Sequence, residues 1–161
     1  MPLISIQQER PDSDAAIQLI SELDHYLNEL PYTPESRHAF SVERLLRENV
    51  VFFVMRYDGE PVACGGIKLF ADYAEVKRMY VRPAYRGRGL GKGILNHLGE
   101  HALENQLALL RLETGIYQTE AIKVYEAYGF KRRPPFGEYE ENPLSLYFEK
   151  SIAGKIKTGT L

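Results

Sequence analysis

The feature that most restricts what this chain can fold into is the run Val81-Arg82-Pro83-Ala84-Tyr85-Arg86-Gly87-Arg88-Gly89-Leu90-Gly91-Lys92-Gly93. It joins an apolar, β-branched stretch to an amphipathic one, so it reads as a turn between a strand and a helix. Closely spaced glycines let a backbone take positive φ and approach a ligand. The first N–H groups of the following helix have no intrahelical partners, and the helix dipole favours negative charge there. Arg86, Arg88 and Lys92 add positive charge at the same place. The combination predicts an anion site suited to a phosphate or pyrophosphate.

Spacing rejects two common phosphate motifs. A Walker A loop needs G-x-x-x-x-G-K-[ST], but Arg86 stands at its first glycine and Gly93 follows Lys92. A dinucleotide fingerprint beginning at Gly87 and Gly89 needs a small residue where Lys92 stands. The preceding strands also read as a meander rather than a parallel β-α-β start.

Periodicity sets the remaining elements. Leu3 to Gln8 is a first strand. Asp12, Ser13 and Asp14 offer caps to a helix whose apolar face is Ile17, Ile20, Leu23, Leu27 and Leu30. Pro31 and Pro34 break it, and a short helix runs from Ser41, its cap, to Glu48, with Leu45 and Leu46 inward. Strands follow at Val50–Tyr57, Val62–Phe70 and Glu75–Val81. Asp58-Gly59 marks a hairpin, Asp72-Tyr73 a second turn, and Gly65-Gly66 a bulge or close packing. A helix from Gly89 to Asn105 buries Leu90, Ile94, Leu95, Leu98 and Ala102. Then come a strand at Leu107–Glu113, a helix at Gln118–Tyr128, a short strand at Phe130–Arg132, a loop at Pro134–Gly137 and a last strand at Ser145–Glu149. The expected fold is one α/β domain over residues 1–150, a mixed and mostly antiparallel sheet flanked by helices. Residues 151–161 read as a mobile tail.

Length and charge narrow the function classes. A chain of 161 residues suits one domain. A net charge of -2 argues against a nucleic-acid partner. Cys64 is the single cysteine, which precludes a disulfide framework within the chain; its apolar strand makes it a core residue. Of His25, His38, His97 and His101, only the last two have i, i+4 spacing. They lack a third ligand, so no metal is expected. The N-terminus has no basic start followed by an apolar run, and no stretch approaches the ~20 apolar residues of a membrane helix. A reducing, cytoplasmic setting without membrane contact is expected.

The run Arg86-Gly87-Arg88-Gly89-Leu90-Gly91 matches the pattern [R/Q]-x-x-G-x-[G/A] and resembles the GNAT superfamily of N-acetyltransferases. A second segment, Gln118 to Phe130, resembles that superfamily's N-x-x-A-x-x-x-Y-x-x-x-G-F through Ala121, Tyr125, Gly129 and Phe130. Gln118 replaces the usual Asn and offers the same amide chemistry. The likeness spans roughly Val50 to Lys150, with two motifs in the right order.

The resemblance implies that acetyl-CoA is the co-substrate. It assigns the pyrophosphate to the amides of Arg86, Gly87, Arg88, Gly89, Leu90, Gly91 and Lys92, the pantetheine arm to the backbone of Met79, Tyr80 and Val81, and a further contact to Gln118. It implies that Tyr125 protonates the departing CoA sulfur. Glu75 lies near the place of the general-base glutamate of the histone acetyltransferase branch, though it also reads as an ion-pair partner of Lys77; Glu113 is a second candidate. Arg78, Tyr117, Phe136 and Tyr139 are expected around the acceptor, where a cation would favour a carboxylate. The implied activity is acetyl transfer to a primary amine of a small molecule or peptide, with homodimers common among relatives. A non-catalytic acyl-CoA sensor on the same scaffold is the alternative.

Overall fold

The computed structural model describes residues 1–37 and 40–154; His38 and residues 155–161, most of the expected tail, lie outside them. In chain order the elements are β1 (Ile4–Glu9), α1 (Asp14–Asn28), α2 (Val42–Arg47), β2 (Val51–Tyr57), β3 (Glu60–Leu69), β4 (Ala74–Val81), α3 (Leu90–Glu104), β5 (Leu109–Gly115), α4 (Thr119–Tyr128), β6 (Lys131–Arg132) and β7 (Ser145–Ser151). The seven strands form one sheet in the order β1-β2-β3-β4-β5-β7-β6. All neighbours are antiparallel except β4 and β5. This is the mixed, mostly antiparallel sheet the sequence predicts. No helix among the described residues is long and apolar enough to cross a membrane.

Both faces of the sheet are covered, which explains why β2 reads as a nearly continuous apolar run. Alternate side chains go to opposite layers. Phe52 and Val54 pack toward α1 and α2 with Leu19, Leu23 and Leu45, whereas Phe53 and Met55 pack toward α3 with Ile94, Leu95 and Leu98. Ser13 caps α1 by accepting from the Ala16 amide at 3.1 Å, and Ser41 caps α2 by accepting from the Arg44 amide at 3.1 Å. Asp58 and Gly59 both take positive φ, 51° and 86°. Two such residues make the mirror-image turn that suits a right-twisted hairpin.

Two sequence expectations need correction, and a third, the bulge or close packing at Gly65-Gly66, is met with the extra residue on the facing strand. Ile17 is exposed, and the buried stripe of α1 is Ala16, Leu19, Ile20 and Leu23. One residue is about 100° of helix rotation; with Ala16 against the sheet, Ile17 turns toward solvent. Ile152, assigned to the tail, is buried and donates its amide to the Ala108 carbonyl at 2.8 Å. The ordered body thus passes the last strand. The bulge, finally, belongs to β4. Cys64 pairs with Tyr80 and Gly66 with Lys77, so two residues, Arg78 and Met79, oppose the single Gly65. Arg78 takes φ 51°, which accommodates the extra residue.

Gly65 answers a packing demand. A Cβ there would lie 2.8 Å from Ile94 Cγ2 and 3.3 Å from Leu98 Cδ1, both fully buried side chains. Overpacking of this kind costs about 1–3 kcal/mol. Gly65→Ala is therefore expected to lower Tm by roughly 2–10 °C in a thermal melt.

Candidate active site

The parallel pair β4–β5 is the structural origin of the site. Pairing is confined to Ala74–Leu110 and Glu75–Arg111. Beyond Glu75 the strands separate, and a cleft of about 460 Å³ opens between the C-terminal half of β4, the start of α3 and the helix α4. It is lined by Met79, Tyr80, Val81, Arg86, Gly87, Gly89, Leu90, Gly91, Lys92 and Gln118, together with Tyr85, Ala121, Val124 and Tyr125. Every sequence-predicted cofactor residue but one is therefore on the cleft wall. The exception is Arg88, whose guanidinium lies over the rings of Tyr57 and Tyr85, 5.2 and 5.0 Å from their centroids.

The phosphate end of the cleft is built from backbone. Gly87 and Gly89 have φ 80° and 78°, and a Cβ at either would meet no protein atom within 4 Å. Those positions face open space, as a backbone cradle for a ligand requires. The first helical bond of α3 runs from the Gly93 amide to the Gly89 carbonyl at 3.1 Å, so the amides of Leu90, Gly91 and Lys92 lack intrahelical partners. The first turn of α3 carries no acidic residue. Arg86 folds back so that Nε donates to the Val81 carbonyl at 3.0 Å, which fixes the loop against β4. Arg82 secures the same end of β4 to α1 through Glu22, with contacts of 3.1 and 2.9 Å. The groups present fit a pyrophosphate followed by an apolar arm.

A second, smaller cavity of about 130 Å³ adjoins the first. Leu23, Met79, Gln118 and Tyr125 line both. Tyr125 is nearly buried, with its ring edge-on to Phe130 at 5.8 Å. Burial pushes its pKa above the ordinary phenol value, so it stays protonated and able to donate at any physiological pH.

Glu113 opens onto the small cavity from β5. Burial raises its carboxyl from the ordinary 4.5 to about 7; the Ser145 hydroxyl, donating to Oε2 at 2.8 Å, and the charge of Lys77 partly oppose the rise. Near neutrality this carboxyl is poised between its two forms, which suits a general base. Glu75 is differently placed. It is buried, ion-paired with Lys77 at 2.9 Å, and accepts from the Tyr139 hydroxyl at 2.6 Å. Lys77 in turn donates to Tyr139 at 2.9 Å. Glu75 thus joins β4 to the loop before β7 through Oε2, and it lines the small cavity as Glu113 does.

The other expected pocket residues divide. Arg78 and Tyr139 line the small cavity; Tyr117 and Phe136 do not. Phe136 is buried with Tyr73 and Tyr147 in a satellite cluster, and Tyr117 packs on Tyr32, ring centroids 5.1 Å apart. Tyr32 was not foreseen. Its ring lies directly over Gly115, where a Cβ would fall 2.0 Å from the hydroxyl oxygen. That hydroxyl also accepts from the Tyr117 amide at 2.9 Å. No spacing signal links residues so far apart in sequence.

Outside the site, burial pushes the Cys64 thiol up to about 12, which removes it as a nucleophile. His97 and His101 pack edge-on against Phe53, at 4.6 and 5.6 Å. The described residues contain no cluster of metal-ligating side chains.

Comparison with known proteins agrees with this geometry. Residues 17–130 match the model of the acetyltransferase (GNAT) family. The chain is 42% identical to a protein of Azospirillum brasilense named IAA acetyltransferase, over 94% of this chain and 100% of that one. A solved Klebsiella pneumoniae structure described as an acyl-CoA N-acyltransferase superposes with TM-score 0.79 at 32% identity, covering 93% of this chain and 98% of that one. A GNAT acetyltransferase from Elizabethkingia anophelis, solved with acetyl-CoA bound, shares the fold at TM-score 0.65 and 17% identity, over 92% of this chain and 97% of that one. The chain belongs to the GNAT family of acetyltransferases, whose co-substrate is acetyl-CoA.

Proposed function

We propose that this enzyme transfers acetyl to a primary amine held in the small cavity, with Tyr125 as acid and Glu113, rather than Glu75, as base. The observation that carries the reading is the position of Tyr125 on the wall shared by the two cavities, with Glu113 facing into the smaller one. Acetyl-CoA supplies an activated thioester when bound. Arg86, Gly87 and Gly89 to Lys92 hold its pyrophosphate by backbone amides and charge, and Met79 to Val81 offer backbone to the pantetheine arm. Glu113 accepts a proton from the attacking amine as the C–N bond forms. Tyr125 donates its hydroxyl proton toward the sulfur as the C–S bond breaks. The β4 bulge at Arg78–Met79 leaves one residue out of the ladder and so supplies a backbone donor for the developing oxyanion. Tyr125 and Glu113 at one junction have no evident use in a sensor that only binds acyl-CoA. The name of the Azospirillum relative adds IAA to the acceptors worth assaying.

Acetyl-CoA binding tests the cleft. In calorimetry, Gly89→Glu is expected to weaken affinity at least 100-fold, because a carboxylate would point where the pyrophosphate lies. Gly89→Ala carries the same backbone strain at φ 78° without the charge and should lose far less. Equal losses in both variants would trace the effect to strain and count against the site.

A further inference from the structure

The small cavity is electrically polarised. On the β5 side stands Glu113, held by Ser145. On the α1 side stands Arg78, whose Nη2 reaches the Ile20 carbonyl at 3.4 Å and the carboxylate of Asp24, itself on the cavity wall; the exposed Arg37, bonded to Asn28, shares its charge with water. The charge of Lys77 is balanced by Glu75 at 2.9 Å, so it does not alter this polarity. Asp24 does not cancel Arg78 completely, because it is 47% exposed and shares its charge with water, whereas the Arg78 side chain is 4% exposed. The Nε–H of Arg78 is buried and has no acceptor among the described residues. That Nε–H is itself closed to water, and leaving it unmade is costly; the Arg78 side chain nevertheless lines the wall of the acceptor cavity and brings a buried positive charge to it. A guanidinium edge is matched best by a carboxylate. The volume of about 130 Å³ holds on the order of four waters, so the enclosed part of the acceptor is small.

We propose that the acceptor is a small amine that also bears a carboxylate, an amino acid in the simplest case, with Arg78 selecting the carboxylate while the amine faces Glu113. This deepens the acetyltransfer reading and rests on it. Arg78 is a specificity residue here and takes no part in bond making.

The test compares acetyl transfer to alanine, methionine and phenylalanine with transfer to their carboxamides, which keep amine and side chain and lose only the negative charge. The amide's amine deprotonates more readily, so the bias runs against the expected result. The expected ratio of kcat/KM, acid over amide, is at least 10 in the wild type and falls toward 1 in Arg78→Gln, a loss of roughly 10- to 100-fold in discrimination. Arg78→Lys, which keeps the charge without the fork, should fall between. Amides used as well as acids, a ratio unmoved by Arg78→Gln, or turnover of none of the three acids by an enzyme that binds acetyl-CoA would each overturn the proposal. Failure of the wild type to bind acetyl-CoA, measured on the same preparations, would instead strike the parent reading.

Discussion

Glu113→Gln is expected to lower kcat by about 10²- to 10⁴-fold, the usual worth of a positioned general base. In the wild type, kcat/KM for the amine should rise with pH through an inflection near 7, because the free enzyme's carboxyl titrates at about 7 and is active only when ionised. The variant should lose that inflection along with the rate. The stability consequence has the opposite sign. The folded-state value lies above the unfolded 4.5, so the native state holds its proton more tightly and stability declines as pH rises from there through about 7. Glutamine carries no charge to bury. Thermal melts at pH 8 should therefore show Glu113→Gln no less stable than the wild type, which separates lost catalysis from lost structure. A parallel Glu75→Gln substitution disturbs the contacts to Lys77 and Tyr139 instead, and its pH profile should keep the inflection near 7.

Tyr125→Phe is the second large effect. The ring packs among Phe130, Phe148 and the sheet, and Phe fills the same space without the hydroxyl. A fall in kcat of about 10²-fold or more is expected from loss of the proton donor. KM for acetyl-CoA should change little, and Tm by less than ~4 °C. If the tyrosine were only a packing residue, neither kcat nor KM would move. Acyl donors with better leaving groups offer a refinement: a thioester whose thiol is more acidic needs less protonation and should recover part of the lost rate in the variant.

Some of this was legible in one dimension. The stripe Leu90, Ile94, Leu95, Leu98 and Ala102 is buried as its spacing predicts, and the Asp58-Gly59 hairpin falls where turn chemistry places it. The glycine turn was readable because its meaning is local: positive φ at Gly87 and Gly89 and unpaired amides at a helix start need no distant partner. Glu113 was harder. Its chemistry comes from burial and from Ser145 and Lys77, which are remote in sequence and meet it only because β7 pairs with β5 and β4 diverges from β5. Glu75 read from sequence either as a base before the loop or as the ion-pair partner of Lys77; the pairing is present, while its bond from Tyr139 comes from a loop with no periodicity to announce it. Tyr32 over Gly115 is a packing fact, invisible without coordinates. The slip at Ile17 has another cause. An apolar residue beside two alanines shifts the apparent stripe, while close approach to the sheet favours the small Ala16.

The most direct test of the account is the rate of CoA release from acetyl-CoA by the wild-type enzyme, with and without amines across a panel of amino acids, polyamines, peptides and simple alkylamines. The account predicts release that is slow alone, rises with an accepted amine until it saturates, and yields N-acetylated product in equal amount by mass spectrometry. Tight binding of acetyl-CoA with no amine-dependent release from any member of the panel would contradict it.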